Sequence, residues 1–172
     1  VQARILESVT AWTDIPADRI QLGVDGCTAA NFALPLSAMA LAYSRFGTRT
    51  HPAAERLRQA MLAHPELVAG TGRPCTDLMR AFPGQLIAKV GAEGILCATV
   101  VGKGTGIALK VEDGDMRAAT IALIAVLDRL LPTLGIDGPL ASARVPQHAK
   151  VAIKNTRGVR TGEIRAEGGM GA

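Results

Sequence analysis

The sequence predicts an α+β fold, an α/β sandwich in which helices cover an antiparallel β-sheet. A helix-rich first half is followed by three β-rich runs, one long apolar helix and a final hairpin, an order typical of this class. Glycine-rich turns separate the three runs, as in a meander of neighbouring antiparallel strands. Hydrophobic residues make up 48% of the 172 residues and aromatic residues only 3%, which predicts an aliphatic core without aromatic platforms for stacking bases.

The first part of the chain predicts two helices with a short strand between them. Ile5, Val9 and Trp12 follow a helical spacing that ends at the next proline. Residues 20–24 predict a short, buried strand. A second helix is expected after Pro35, because proline is tolerated in the first turn of a helix.

The next segment predicts a loop and two further helices. Residues 47–51 form the loop, and residues 52–63 carry an apolar stripe at helical spacing. A histidine and a proline at 64–65 end this helix. After a glycine-rich turn, Thr76 is expected to cap a short helix that runs to Arg80.

The second half predicts a sheet, a helix and a hairpin. The three β-rich runs are residues 86–90, 95–101 and 106–111. Asp113 is expected to cap a long apolar helix that runs to Leu131 and is ended by Pro132. Residues 151–153 and 162–165 predict the final hairpin.

Charge and cysteine content favour a soluble, cytoplasmic protein. Lys and Arg number 19 and Asp and Glu 15, and much of this excess lies late in the chain: Arg144, Lys150, Lys154, Arg157, Arg160 and Arg165. We interpret these residues as a solvated hairpin and expect no nucleic-acid partner. Three cysteines without CxxC spacing argue against a disulfide framework and favour a reducing compartment. The longest strongly apolar run, 118–127, is too short to span a bilayer, so no membrane partner is expected.

Searches for common catalytic motifs give negative results. The glycine-rich stretch 102–106 lacks the first glycine and the Ser or Thr of a P-loop, so a hairpin turn is the better interpretation. The sequence contains no GxSxG elbow, and none of its serines is followed three residues later by lysine. The three histidines lack metal-ligand spacing.

A few polar residues in apolar or glycine-rich surroundings are candidates for function. Asp25 and Cys27 follow the first predicted strand, and Glu93 lies in the turn between two strands. Lys89 lies inside the strand 86–90. Alternation allows it to point into solvent, or into a cleft where loss of hydration would suit it to proton transfer. Cys97 is expected in the core, and Cys75 is interpreted as a packed or free thiol.

Several stretches in one order resemble the bacterial asparaginase II family, whose fold is related to serine β-lactamases and penicillin-binding proteins. The longest are residues 64–73 and 88–94. The others are residues 23–27, 33–36, 106–110 and 162–165. The resemblance covers nearly the whole chain. It implies an amidohydrolase that converts L-asparagine to L-aspartate and ammonia.

The resemblance also implies roles for individual residues. The family carries two Ser-Lys pairs: one in an Arg-Ser-Ser-x-Lys segment, the other joining a Ser-His-Ser serine to the lysine that matches Lys89. Family members bind zinc through a Cys-Ser-Gly-Lys segment and the cysteine that matches Cys27. We therefore assign Lys89 as catalytic, Cys27 as a zinc ligand, and Asp25, Gly91 and Glu93 as residues that shape the substrate end.

The Arg-Ser-Ser-x-Lys, Ser-His-Ser and Cys-Ser-Gly-Lys segments do not occur in this sequence. We therefore expect residues 1–172 to be the C-terminal portion of a single asparaginase II-like domain, with an incomplete fold and a nucleophile in a missing N-terminal half. Alone, the chain would be inactive, and we expect a homodimer or association with that half. The alternative is a non-catalytic binding or oligomerisation module that completes its sheet with a partner chain. A weaker alternative is a relative that interacts with β-lactams.

Overall fold

The computed structural model describes residues 1–167. The helices are α1 (Gln2–Thr13), α2 (Leu36–Thr48), α3 (Pro52–Ala63), α4 (Pro65–Ala69), α5 (Pro74–Ala81), α6 (Met116–Thr133), α7 (Ala141–Arg144) and α8 (Pro146–Ala149), with a 3₁₀ turn at Ala17–Arg19. The strands are β1 (Gln21–Val24), β2 (Ala30–Ala33), β3 (Leu86–Val90), β4 (Ile95–Val100), β5 (Thr105–Lys110), β6 (Val151–Lys154) and β7 (Arg160–Ile164). Within this described part, no helix is long and apolar enough to cross a membrane.

The central sheet is the antiparallel meander β3-β4-β5. Its register pairs Lys89 with Cys97, and Cys97 with Ala108. Every residue of β4 except the first is buried, so both faces of the middle strand are covered. The predicted α+β class, with helices covering an antiparallel sheet, is confirmed.

Helix α2 packs on one face of this sheet at very short range. A Cβ added to Gly106 of β5 would overlap the Ala40 carbonyl oxygen and the Ser44 nitrogen of the helix backbone. A Cβ on Gly47 would likewise overlap the Thr99 hydroxyl. Glycine at these two positions therefore allows helix and sheet to approach each other.

Helices α5 and α6 cover the opposite face and enclose the main aliphatic core. Its fully buried members include Leu86, Ala88 and Leu96 from the sheet, and Leu123 and Leu127 from α6. Aliphatic side chains dominate this core, as the composition predicted.

Two small hairpins form separate two-stranded sheets. The C-terminal pair β6-β7 is antiparallel, with Val151 opposite Ile164, as predicted. The pair β1-β2 was not fully predicted, because only β1 was expected. The expectation that β1 is buried is wrong. All four of its residues are exposed, including Leu22 at 60% and Val24 at 75%. The residue pattern identified a strand, but burial depends on a covering layer, and β1 pairs only with β2.

The expected cap of α5 was wrong. Thr76 is fully buried inside α5, and its single hydroxyl proton is shared between the main-chain oxygens of Pro65 (3.1 Å) and Gly70 (2.7 Å). It therefore ties α5 to both ends of α4, a short helix that the sequence did not predict. The N-cap position of α5 belongs to Arg73.

The boundaries of α6 and α2 also differ from expectation. Asp115, not Asp113, caps α6 by accepting a hydrogen bond from the Arg117 amide (2.7 Å). Pro132 lies within the last turn of α6 rather than after the helix. Helix α2 extends to Thr48, into the expected loop.

Candidate active site

Lys89 lies on the α2 face of the sheet, near the end of edge strand β3. Its side chain is partly buried, and its Nζ donates to the Val90 carbonyl oxygen at 2.7 Å. An ammonium group has three N–H donors, so two remain for other partners. Lys89 forms no ion pair within residues 1–167.

An open, mainly apolar groove of about 560 Å³ surrounds Lys89. We call it the Lys89 groove. Besides Lys89, it is lined by Trp12, Ala42, Tyr43, Phe46, Leu57, Met61, Leu67 and Val68. Lys89 is thus the charged side chain of a groove whose walls come from α1, α2, α3 and α4.

Three titratable groups lie near this lysine and remain protonated at neutral pH. Burial raises the pKa of Tyr43, and the nearby Cys97 and Cys75 raise it further. Burial raises the pKa of Cys97 to about 11. Burial also raises the pKa of Cys75, against the opposing effects of the Val90 backbone and of Lys89. Neither thiol is therefore activated as a nucleophile, since reactivity requires the thiolate.

No serine lines the Lys89 groove in the described part of the chain. Ser44 is on α2, but its hydroxyl donates to Gly104 (2.7 Å), in the β4–β5 turn. The groove therefore offers a lysine without a hydroxyl nucleophile among its lining residues.

Asp25 and Cys27 lie in the turn between β1 and β2. Both are exposed, and the Cys27 amide donates to the Asp25 carboxylate at 2.8 Å. Neither lines the Lys89 groove. Within residues 1–167, no group of three or more His, Cys, Asp or Glu side chains could hold a metal ion. The donor set of these residues therefore does not fit a complete zinc site, and Cys27 would supply a single thiolate.

Gly91 and Glu93 lie in the turn between β3 and β4, close in sequence to Lys89. The Gly91 amide donates to the Ile95 oxygen at 2.8 Å, which continues the β3-β4 pairing. Glu93 is exposed and has a positive φ of 53°, and its carboxylate lies beside Gly114. Neither residue lines the Lys89 groove.

The structure thus places Tyr43 in the groove with Lys89. The predicted site residues Asp25, Cys27, Gly91 and Glu93 do not line this groove. The sequence placed Tyr43 only within the helix expected after Pro35, because periodicity identifies a helix and its buried face but not the neighbour of that face across the fold. Its scarcity was the one available signal, since it is the single tyrosine of the chain.

Comparison with known families gives a match over nearly the whole chain. The family model for L-asparaginase II matches residues 1–166. The chain belongs to the L-asparaginase II family. The family resemblance expected from the sequence is therefore confirmed, and family membership makes the chain an asparaginase-like amidohydrolase that acts on a small molecule. No curated protein matches the chain.

Proposed function

We propose that this L-asparaginase II family chain contributes Lys89 to the hydrolysis of L-asparagine to L-aspartate and ammonia. The observation that carries the proposal is the Lys89 groove, where one lysine projects between apolar walls and its nitrogen has only the Val90 oxygen as a hydrogen-bond partner among the described residues. The partner serine is proposed to come from a segment outside this sequence.

The chemistry requires a serine and a lysine that share protons. For this step Lys89 must be in its neutral amine form, whose lone pair can accept a proton. The serine Oγ would attack the side-chain amide carbon of L-asparagine, and its proton would pass to that amine nitrogen. That nitrogen would then deliver the proton to the departing amide nitrogen, which leaves as ammonia. Water would hydrolyse the resulting ester, releasing aspartate and regenerating the hydroxyl. The fixed contact to Val90 supports this role by orienting the lysine nitrogen.

The open shape of the Lys89 groove supports the proposal that another segment supplies one of its walls. Leu57 and Leu67 line the groove, yet they are 55% and 80% exposed. A covering segment that brought the serine would bury these side chains and exclude water from the reacting groups. Such a segment is the proposed N-terminal half, and this half or a second copy is the proposed partner.

The remaining assignments rest on the family resemblance. Asp25, Gly91 and Glu93 would shape the substrate end, and Cys27 would supply one zinc ligand. Because Cys27 is exposed at a hairpin turn, its sulfur would be accessible to a zinc ion whose other ligands come from a partner. A cytoplasmic location belongs to the same proposal.

A second candidate function is favoured by the exposed apolar surface. The chain would be a non-catalytic binding module that pairs with a partner through the Lys89 groove or the exposed β1-β2 hairpin. This candidate needs no reaction at Lys89.

Ammonia release distinguishes the two candidates. We would assay L-asparagine with the 172-residue chain alone, and with a polypeptide in which the N-terminal portion of a complete family member precedes Val1. We expect ammonia and aspartate from the second sample only. L-Glutamine is assayed separately as the alternative amide substrate. Turnover by the chain alone would contradict the missing nucleophile. A folded hybrid without turnover of either amide would favour the binding module.

A further inference from the structure

We propose that a cavity on the sheet face opposite Lys89 binds a short monocarboxylate with an apolar body. This α5–α6 cavity has a volume of about 200 Å³ and lies between α5, α6, β3 and β6. Val90 lines it, whereas the adjacent Lys89 lines the other groove. Since successive side chains of a strand point to opposite faces, the two sites lie on opposite sides of the sheet.

The body of the ligand is inferred from the walls of the cavity. Val90, Leu96, Met116 and Val151 line it together with the buried Cys75. An apolar cavity of about 150 Å³ can hold benzene. The α5–α6 cavity therefore has room for a ring or short aliphatic chain, with space left for a small polar head.

The charge of the ligand is inferred from the rim. Three side chains there can carry positive charge, but two are neutralised within the protein. Arg117 pairs with Asp115 (Nε to Oδ2, 3.0 Å) and His148 with Asp77 (Nε2 to Oδ2, 2.7 Å).

The third rim cation is Arg73, which forms no ion pair within residues 1–167. One uncompensated cation above an apolar floor matches one negative charge on an apolar body.

The rim is also held in place before a ligand arrives. The bond between His148 and Asp77 joins α8 to α5, and both side chains are mostly buried, at 15% and 20% exposure. The Thr120 hydroxyl is already bonded to the Met116 carbonyl (3.0 Å). A preformed rim lowers the cost of ordering on binding.

Calorimetry with benzoate and benzamide tests the proposal on the full chain. We expect benzoate to bind at millimolar concentration or below, and neutral benzamide to bind more weakly. Arg73→Gln should weaken benzoate binding about fivefold, as expected for a solvent-exposed charge pair. Arg80→Gln is the control, because Arg80 is an exposed arginine of α5, the helix that Arg73 precedes, and it does not line the cavity.

Alkylation of cysteines locates the site independently. Cys75 lines the cavity, Cys97 is buried on the other face, and Cys27 is exposed. Benzoate should slow alkylation of Cys75, measured by mass spectrometry, more than alkylation of the other two. Equal slowing of Cys75 and Cys97 would indicate general stabilisation and contradict the site. Absence of binding, equal binding of benzamide, or unchanged binding by Arg73→Gln would also overturn the proposal.

Discussion

Replacing Gly106 by alanine should separate α2 from the central sheet. The added Cβ would overlap the Ala40 oxygen and the Ser44 nitrogen, and would lie 3.0 Å from the Ala40 carbonyl carbon. All three are backbone atoms, so no side-chain rotation can relieve the overlap. Helix α2 must therefore move, and with it Tyr43 of the Lys89 groove.

The expected loss of stability follows from this geometry. Overpacking a well-packed site costs about 1–3 kcal/mol, and a clash with helix backbone should lie near the upper end. With a urea m-value of about 2 kcal/mol/M, a loss of about 3 kcal/mol lowers the unfolding midpoint by about 1.5 M.

Fluorescence of Trp12, the single tryptophan, provides the assay. Its main-chain oxygen accepts a hydrogen bond from Arg45 of α2 (3.0 Å), so it reports on the packing of α2. Gly23→Ala is the matched control, because a Cβ there has no neighbour within 4 Å. This control should shift the free energy of unfolding by about 0.5 kcal/mol or less. A Gly106→Ala midpoint equal to that of the control would refute the close approach of α2 and β5.

Two further predictions concern buried polar groups. Thr76→Val should lower the free energy of unfolding in urea by about 1–2 kcal/mol, because the buried Thr76 hydroxyl is shared between two main-chain oxygens. Thr133→Val, at an exposed position, should lower it much less. Equal losses in the two variants would contradict the role of burial. Because burial raises the pKa of Cys97 to about 11, its contribution to stability is complete below about pH 9 and is lost as the pH rises through 11. The urea midpoint should therefore fall over this range, and less steeply in Cys97→Ala than in a Cys27→Ala control; identical pH profiles would argue against this burial effect.

Local patterns predicted the sheet well, because its signals lie within a few residues. Glycine turns bounded the strands β3, β4 and β5, and the structure pairs them in the expected meander. The family was also identifiable, since residues 64–73 and 88–94 are long, specific stretches.

Packing between distant segments could not be predicted. The exposure of Leu22 and Val24 depends on which layers cover β1, and the burial of Thr76 depends on α4. Likewise, the sequence singled out Lys89, but no local pattern placed Tyr43 beside it. The assignments of Asp25, Gly91, Glu93 and Cys27, and the likeness to the β-lactamase fold, stay predictions.

The most direct test is the effect of Lys89 on asparagine turnover in the hybrid polypeptide that carries the family's N-terminal portion. Lys89→Met keeps the aliphatic bulk but removes the nitrogen, while Lys103→Met removes an exposed lysine in the β4–β5 turn as the control. If Lys89 transfers protons, kcat for ammonia release should fall about 100-fold or more in Lys89→Met and stay unchanged in the control. A folded Lys89→Met hybrid with undiminished kcat would contradict the account.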